Sequence, residues 1–113
     1  VQKYSVNLTE DAENDIAELM AFYEELVDAE SATKFFDEAM DTVSKLESLP
    51  RANAVFKDNP DVRKVQMENH KVAIIYLLDD DRFEVIAVRA YHQMQNPSQY
   101  QESVRERIRK LRG

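Results

Sequence analysis

Val72-Ala73-Ile74-Ile75-Tyr76-Leu77-Leu78-Asp79-Asp80-Asp81-Arg82-Phe83-Glu84-Val85-Ile86-Ala87-Val88-Arg89-Ala90 is the stretch that decides the fold. Its two apolar runs, residues 72–78 and 83–90, are rich in β-branched side chains that suit a pleated strand. Asp79, Asp80 and Asp81 suit a turn, because a short carboxylate can bond to neighbouring backbone amides there. So brief a connection folds the chain straight back, which predicts an antiparallel hairpin. A third run, residues 62–67, precedes it across the short separator 68–71, so an antiparallel three-stranded meander is expected. Residues 51–61 hold Asn53, Asp58, Asn59 and Pro60 and read as an irregular loop.

Upstream of that loop the apolar period is helical. Ala12, Ile16, Leu19, Met20, Tyr23, Leu26 and Val27 make one stripe, preceded by Thr9 as an N-cap and by Glu10, Asp11 and Glu13 at the positive end of the helix dipole. A break near residues 28–30 restarts the period at Ala32, Phe35, Phe36, Ala39, Met40, Val43 and Leu46, and Pro50 ends it. The connection is short enough to make the two helices antiparallel neighbours. Residues 1–8 alternate Tyr4, Val6 and Leu8 with polar neighbours and read as a strand. At the other end, residues 98–112 place Tyr100, Val104, Ile108 and Leu111 at helical spacing among Arg105, Arg107, Arg109, Lys110 and Arg112, which predicts a basic amphipathic C-terminal helix. The expected architecture is α+β: a helical hairpin on one face of a small antiparallel sheet, in the order β-αα-βββ, with that C-terminal helix added.

At 113 residues the chain is expected to form a single domain, 1–113, with no room for a second core. Gly113 is the only glycine, which excludes a P-loop or dinucleotide-binding turn. With no cysteine there is no disulfide, thiolate metal site or cysteine nucleophile. No apolar run approaches a membrane span and no signal-like segment opens the sequence, so a soluble, cytoplasmic protein without membrane association is expected. The net charge of −7 hides an asymmetry: residues 1–50 carry 13 acids and 3 bases, and residues 51–113 carry 9 acids and 12 bases. An acidic chain is a poor non-specific nucleic-acid binder, yet the basic second half leaves room for a local anion site.

The side chains that could carry chemistry are few. Three consecutive aspartates at a hairpin tip do not converge on a cation unaided, and the turn reading is preferred to a divalent-ion site. The acids of the first helix, Glu10 to Glu25, lie largely off its apolar stripe and read as a solvated face. His70 falls in a turn region, and two histidines without a matched carboxylate motif give no metal site. His92 follows an apolar strand in Arg89-Ala90-Tyr91-His92, where it could act as a general acid beside an arginine that stabilises phosphate charge. Arg63, Lys64, Lys71 and Arg89 fall on strands or their ends. Alternation sets Lys71, Ala73 and Ile75 on one face and Val72, Ile74 and Tyr76 on the other, so one face can pack on helices while the other offers cations. With both faces partly apolar, a second copy could cover one of them.

The order of these elements, together with Tyr4-Ser5-Val6-Asn7-Leu8-Thr9-Glu10-Asp11-Ala12-Glu13-Asn14-Asp15-Ile16, Phe35-Phe36, Leu46-Glu47-Ser48-Leu49-Pro50, Val62-Arg63-Lys64-Val65, Val72-Ala73-Ile74-Ile75-Tyr76, Asp79-Asp80 and Val85-Ile86-Ala87-Val88-Arg89-Ala90-Tyr91-His92, resembles the RelE/ParE superfamily of toxins from bacterial type II toxin–antitoxin modules. The resemblance implies a toxin neutralised by a cognate antitoxin, causing growth arrest and linked to plasmid stabilisation. RelE-like members cut mRNA on the ribosome without metal or cofactor, and ParE-like members poison DNA gyrase without catalysis. The expected activity is that of the ribosome-dependent, metal-independent mRNA endoribonuclease, with non-enzymatic gyrase inhibition as the alternative: His92 resembles the catalytic histidine of that branch, Arg89 is the candidate phosphate-stabilising cation and Lys71 a further catalytic candidate, with Arg63, Lys64 and Tyr91 binding RNA or another target. Ala73 stands where RelE-like enzymes usually carry an arginine, and Gln93 where they carry a tyrosine; Lys71 is the candidate substitute for that charge. His92-Gln93-Met94-Gln95-Asn96-Pro97 resembles the strand end and tail of ParE-like proteins, which usually continue with charged residues. An inactive antitoxin-binding module is the third reading.

Overall fold

The structure, a computed structural model, describes residues 3–56, 59–93, 104–106 and 108–111. Strand β1 (Ser5–Leu8) leads into helices α1 (Glu10–Leu26) and α2 (Ala29–Ser44), a 3₁₀ turn (Lys45–Glu47), and strands β2 (Ala54–Phe56), β3 (Asn59–Gln66), β4 (Val72–Asp79) and β5 (Glu84–His92). Residues 104–106 and 108–111 are helical. The expected α+β architecture is therefore present; of the C-terminal helix expected over 98–112, residues 98–103, 107 and 112 lie outside the described residues. Among the described residues no helix is long and apolar enough to cross a membrane.

Each helix begins where a polar side chain can take up a free amide. Thr9 Oγ1 accepts from the Ala12 amide at 3.1 Å, and Asp28 Oδ1 accepts from the Ser31 amide at 2.8 Å. Only Val27 and Asp28 separate the helices, so they run antiparallel.

The sheet order is β1-β5-β4-β3-β2. The meander β3-β4-β5 is antiparallel, as the hairpin turns require, but β1 lies parallel to β5, from Ser5 opposite Glu84 to Leu8 opposite Ala87. The sheet is thus mixed. A tight turn forces strands antiparallel, whereas the helical hairpin after β1 leaves its direction free.

The expected loop over 51–61 is corrected in part. Residues 54–56 form β2, which pairs antiparallel with β3, and β3 begins at Asn59. Pro60 is accommodated near the start of β3, where the pairing with β2 is irregular between Val55 and Phe56.

Residues 72–78 are buried on both faces. Val72 and Ile74 pack with Ile16, Leu19, Phe35 and Ala39 of the helical hairpin, while Ala73, Ile75 and Leu77 pack with Val104 and Ile108 of the C-terminal helix. The expectation of one packed and one open cationic face is corrected accordingly. Of the apolar stripe of the C-terminal helix, Val104 and Ile108 find their partner on the sheet, whereas Leu111 is exposed and Tyr100 lies outside the described residues.

Candidate functional site

The end of β5 extends beyond β1, and α1 supplies what the missing strand would. Thr9 donates through its amide to Ala87 O at 2.9 Å and through its hydroxyl to Val88 O at 3.2 Å. Asp15, one turn into α1, continues the substitution by accepting from the Ala90 amide at 2.9 Å. The same carboxylate holds Arg89 in a two-point grip, Nε to Oδ2 at 2.7 Å and Nη2 to Oδ1 at 2.9 Å. A bidentate guanidinium–carboxylate pair is a strong, directional contact. Asp15 is 8% exposed, so the reading of the α1 acids as a solvated face is corrected at this position. The signal was present: Asp15 stands three residues after Ala12 and four before Leu19, inside the apolar stripe, where a charge needs a partner.

His92 lies opposite Val72, on the face that carries the helical hairpin, and its ring centroid is 6.1 Å from that of Phe22 on α1. Tyr91 points to the other face, buried beside Val104 and Ile108, and burial raises its hydroxyl pKa. Lys71 stands one residue before β4; its carbonyl accepts from the Gln93 amide at 2.7 Å, and alternation sets its side chain on the Ala73 and Tyr91 side. Lys64 lies opposite Ile75 and so shares that face. The structure thus brings Lys64, Lys71 and Tyr91 to one face, with His92 on the opposite one.

Arg63 has a different place. Its Nε donates to Pro60 O at 3.0 Å and its Nη1 to Arg51 O at 3.3 Å and Asn53 O at 3.0 Å, so it staples the 50–53 segment to β3. Tyr76, fully buried, completes the staple by donating to Pro50 O at 2.6 Å and accepting from Asn53 Nδ2 at 3.2 Å. Sequence reading missed this role of Tyr76, because a tyrosine within an apolar strand reads as core.

His70 is a connector as well. Its Nδ1 meets Glu38 Oε2 at 3.0 Å, its ring sits edge-on to Tyr23 and Phe35, and Glu38 Oε1 accepts from the Asn69 amide at 2.8 Å. Burial pushes the Glu38 carboxyl up, but the hydrogen bonds from Asn69 and His70 outweigh it and leave the carboxyl below its usual range. In the β4–β5 turn, Asp79 Oδ1 accepts from the Arg82 amide at 3.2 Å, and Asp80 accepts from the Tyr4 hydroxyl at 2.7 Å and pairs with Arg51. Those aspartates therefore do local work, and no three metal-ligating side chains converge among the described residues. An open cleft of about 870 Å³ lies at this end of the sheet, its charged lining being Asp61, Asp79, Asp80, Asp81, Glu84 and Arg82. With five acids to one base, the cleft is a poor site for phosphate.

This small mixed sheet under a helical hairpin is the fold of the RelE and ParE toxin structures. A chain of the chromosomal ParDE system from P. aeruginosa superposes with a TM-score of 0.69 at 19% identity, over 81% of this chain and 98% of that one. The free E. coli toxin RelE, as an arginine-to-alanine double mutant, gives a TM-score of 0.62 at 15% identity, over 96% and 97% of the two chains. A chain of the Mycobacterium tuberculosis RelBE2 toxin–antitoxin complex gives 0.58 at 16% identity, over 82% and 94%. No protein-family model matches the sequence, and no curated protein matches it.

Proposed function

We propose that the protein is the toxin of a type II toxin–antitoxin module and that it acts by binding its target, as a ParE-like inhibitor of DNA gyrase, with a cognate antitoxin as its partner. The observation that carries the choice is the two-point grip of Asp15 on Arg89. An RNase of this kind needs a cation on the phosphorane beside its general acid. Here the Arg89 guanidinium is paired with the Asp15 carboxylate, and His92 faces away from Lys64, Lys71 and Tyr91. Target binding requires no such convergence. It is also compatible with the net charge of −7, which disfavours a nucleic-acid substrate.

The second reading, a ribosome-dependent endoribonuclease acting on mRNA, is favoured by one observation: Lys64, Lys71 and the buried hydroxyl of Tyr91 share a sheet face beneath the C-terminal helix. Induced expression separates the two. The proposal expects loss of gyrase supercoiling activity and DNA damage signalling, with toxicity retained in Lys71→Ala and His92→Gln. Translation-dependent mRNA cuts that disappear in either variant would overturn it in favour of the endoribonuclease, and unimpaired growth in the inactive module's favour.

A further inference from the structure

Phe83, the last residue of the β4–β5 turn, has a φ of 50°, and no other described residue has a positive φ. The left-handed region crowds a Cβ and is ordinarily left to Gly or Asn, so a bulky ring held there stores strain. The core does not account for the choice of residue. The ring is 44% exposed, and its one ring contact among the described residues is edge-on to Tyr4, with centroids 5.7 Å apart. Strand pairing does not account for it either. Phe83 O accepts from the Ser5 amide at 2.9 Å, a backbone bond that glycine would make equally.

The corner that carries this ring is a fixed frame. The Tyr4 amide donates to Glu47 O at 2.8 Å and its hydroxyl to Asp80 Oδ1 at 2.7 Å, while Asp80 also pairs with Arg51. Leu49 lies between Glu47 and Arg51, in a segment tied to the corner at both ends, and is 66% exposed. Two large apolar side chains are thus offered to solvent from a frame in which little ordering remains to be done on binding. The charges beside them are nearly all of one sign. Asp81 and Glu84 flank Phe83, and the adjoining cleft adds Asp61 and Asp79 against one base, Arg82.

These surroundings select the occupant. A nucleic acid is repelled by the carboxylates. A small polyamine would meet them but leave Phe83 and Leu49 in water. With a second copy of this chain, a two-fold contact would set the same acids against one another, and a head-to-tail contact would string open chains instead of closing. A polypeptide surface with an apolar pocket inside a rim of Lys and Arg meets both features at once.

We infer that the Phe83–Leu49 corner is the surface with which the protein grips its target, and that the target presents there an apolar pocket rimmed by Lys and Arg. Phe83 fills the pocket, and Asp81 and Glu84 meet the rim. The inference rests on the toxin reading for there being a target at all, and it deepens that reading by giving the contact and its chemistry.

Phe83→Gly separates a working ring from a structural one, because it removes the side chain and relieves the backbone together. Its thermal midpoint should stay within about 3 °C of wild type or rise. At the same time, growth arrest on induced expression should be lost, and the concentration needed to inhibit supercoiling by purified DNA gyrase should rise about tenfold or more. Leu49→Gln, at an exposed position, should raise that concentration about threefold, and Asp81→Lys should do the same with the effect fading in high salt. Phe36→Gln removes an exposed ring on α2 and should change neither readout. The inference is overturned by unchanged arrest and inhibition in Phe83→Gly and Leu49→Gln, or by an equal loss in Phe36→Gln. It is also overturned by a midpoint more than about 5 °C lower in Phe83→Gly, which would make the ring structural, or by a wild-type dimer in sedimentation that Phe83→Gly dissolves. The gyrase reading fails separately. If wild type arrests growth without inhibiting gyrase, that reading falls and arrest in Phe83→Gly alone decides the surface. If wild type and Phe83→Gly inhibit gyrase equally, the surface falls and the reading stands. A wild type that neither arrests growth nor inhibits gyrase would sink both.

Discussion

Asp15→Ala removes a carboxylate that accepts from Arg89 Nε at 2.7 Å, Arg89 Nη2 at 2.9 Å and the Ala90 amide at 2.9 Å. It leaves behind a guanidinium whose side chain is only 20% exposed and a backbone amide without its carboxylate acceptor. Removing one partner of a buried, hydrogen-bonded ion pair costs about 3–5 kcal/mol. The gain in helix propensity from Asp to Ala is at most about 0.7 kcal/mol and cannot offset it. A domain of this size has roughly 5–15 kcal/mol in all, so the variant should lose a large share of its stability. At about 4 °C per kcal/mol, the midpoint should drop by roughly 10–15 °C. Urea unfolding followed by circular dichroism measures the difference, and a thermodynamic cycle with Arg89→Met isolates the coupling. The double variant Asp15→Leu/Arg89→Met, which removes both charges, should recover to within about 1–2 kcal/mol of wild type. A loss below about 1 kcal/mol in Asp15→Ala at unchanged slope would refute the view that this pair secures the β5 end to α1.

Two further substitutions probe the other connectors. The Glu38 carboxyl titrates lower in the folded chain than its ordinary value of 4.5, so its contribution is fully present above that value and lost as pH falls through the lower folded value. The excess stability of wild type over Glu38→Gln should therefore be about 1 kcal/mol at pH 7 and vanish in acid, measured by urea midpoints across pH; a pH-independent difference would contradict the assigned bonds. Tyr76→Phe deletes the hydroxyl that links Pro50 O to Asn53 Nδ2 in a fully buried position, and should cost about 1–3 kcal/mol, with hydrogen exchange accelerating first in the 50–56 segment. Uniform acceleration across the sheet would show that the staple is not local.

The helices and the β3-β4-β5 meander were legible because their signals are local. A 3.6-residue stripe from Ala12 to Leu26 and β-branched runs around Asp79–Asp81 need no knowledge of the rest of the chain. The direction of β1 was not legible, since the alternation of Tyr4, Val6 and Leu8 is the same whether the neighbouring strand runs parallel or antiparallel. Asn59 and Pro60 concealed the start of β3, because propensity speaks against a strand that pairing of Asn59 with Phe56 of β2 nonetheless holds. Among the candidate site residues, Lys71, Tyr91 and His92 lie at one end of the sheet, where His92 stands opposite Val72 and Tyr91 opposite Ala73. The sequence did not reveal that His92 and Tyr91 would address opposite faces with different covers. Nor did it reveal that an acid 74 residues upstream would bind Arg89, because contacts at such separation leave no periodic trace.

The parallel pairing of β1 with β5 sets the order in which the molecule can be completed. Ser5 meets Glu84 and Leu8 meets Ala87, contacts 79 residues apart. A chain emerging from the ribosome can form its helical hairpin early, but its first strand has nothing to pair with until almost the last strand has been made. The N-terminal strand is then the final stave of the sheet, and the Thr9 and Asp15 bonds to β5 can form only with it. A nascent chain accordingly has no β5 edge, and no His92 upon it, until residues 84–92 have been made, and a ribosome stalled before that segment would leave β1 without its partner.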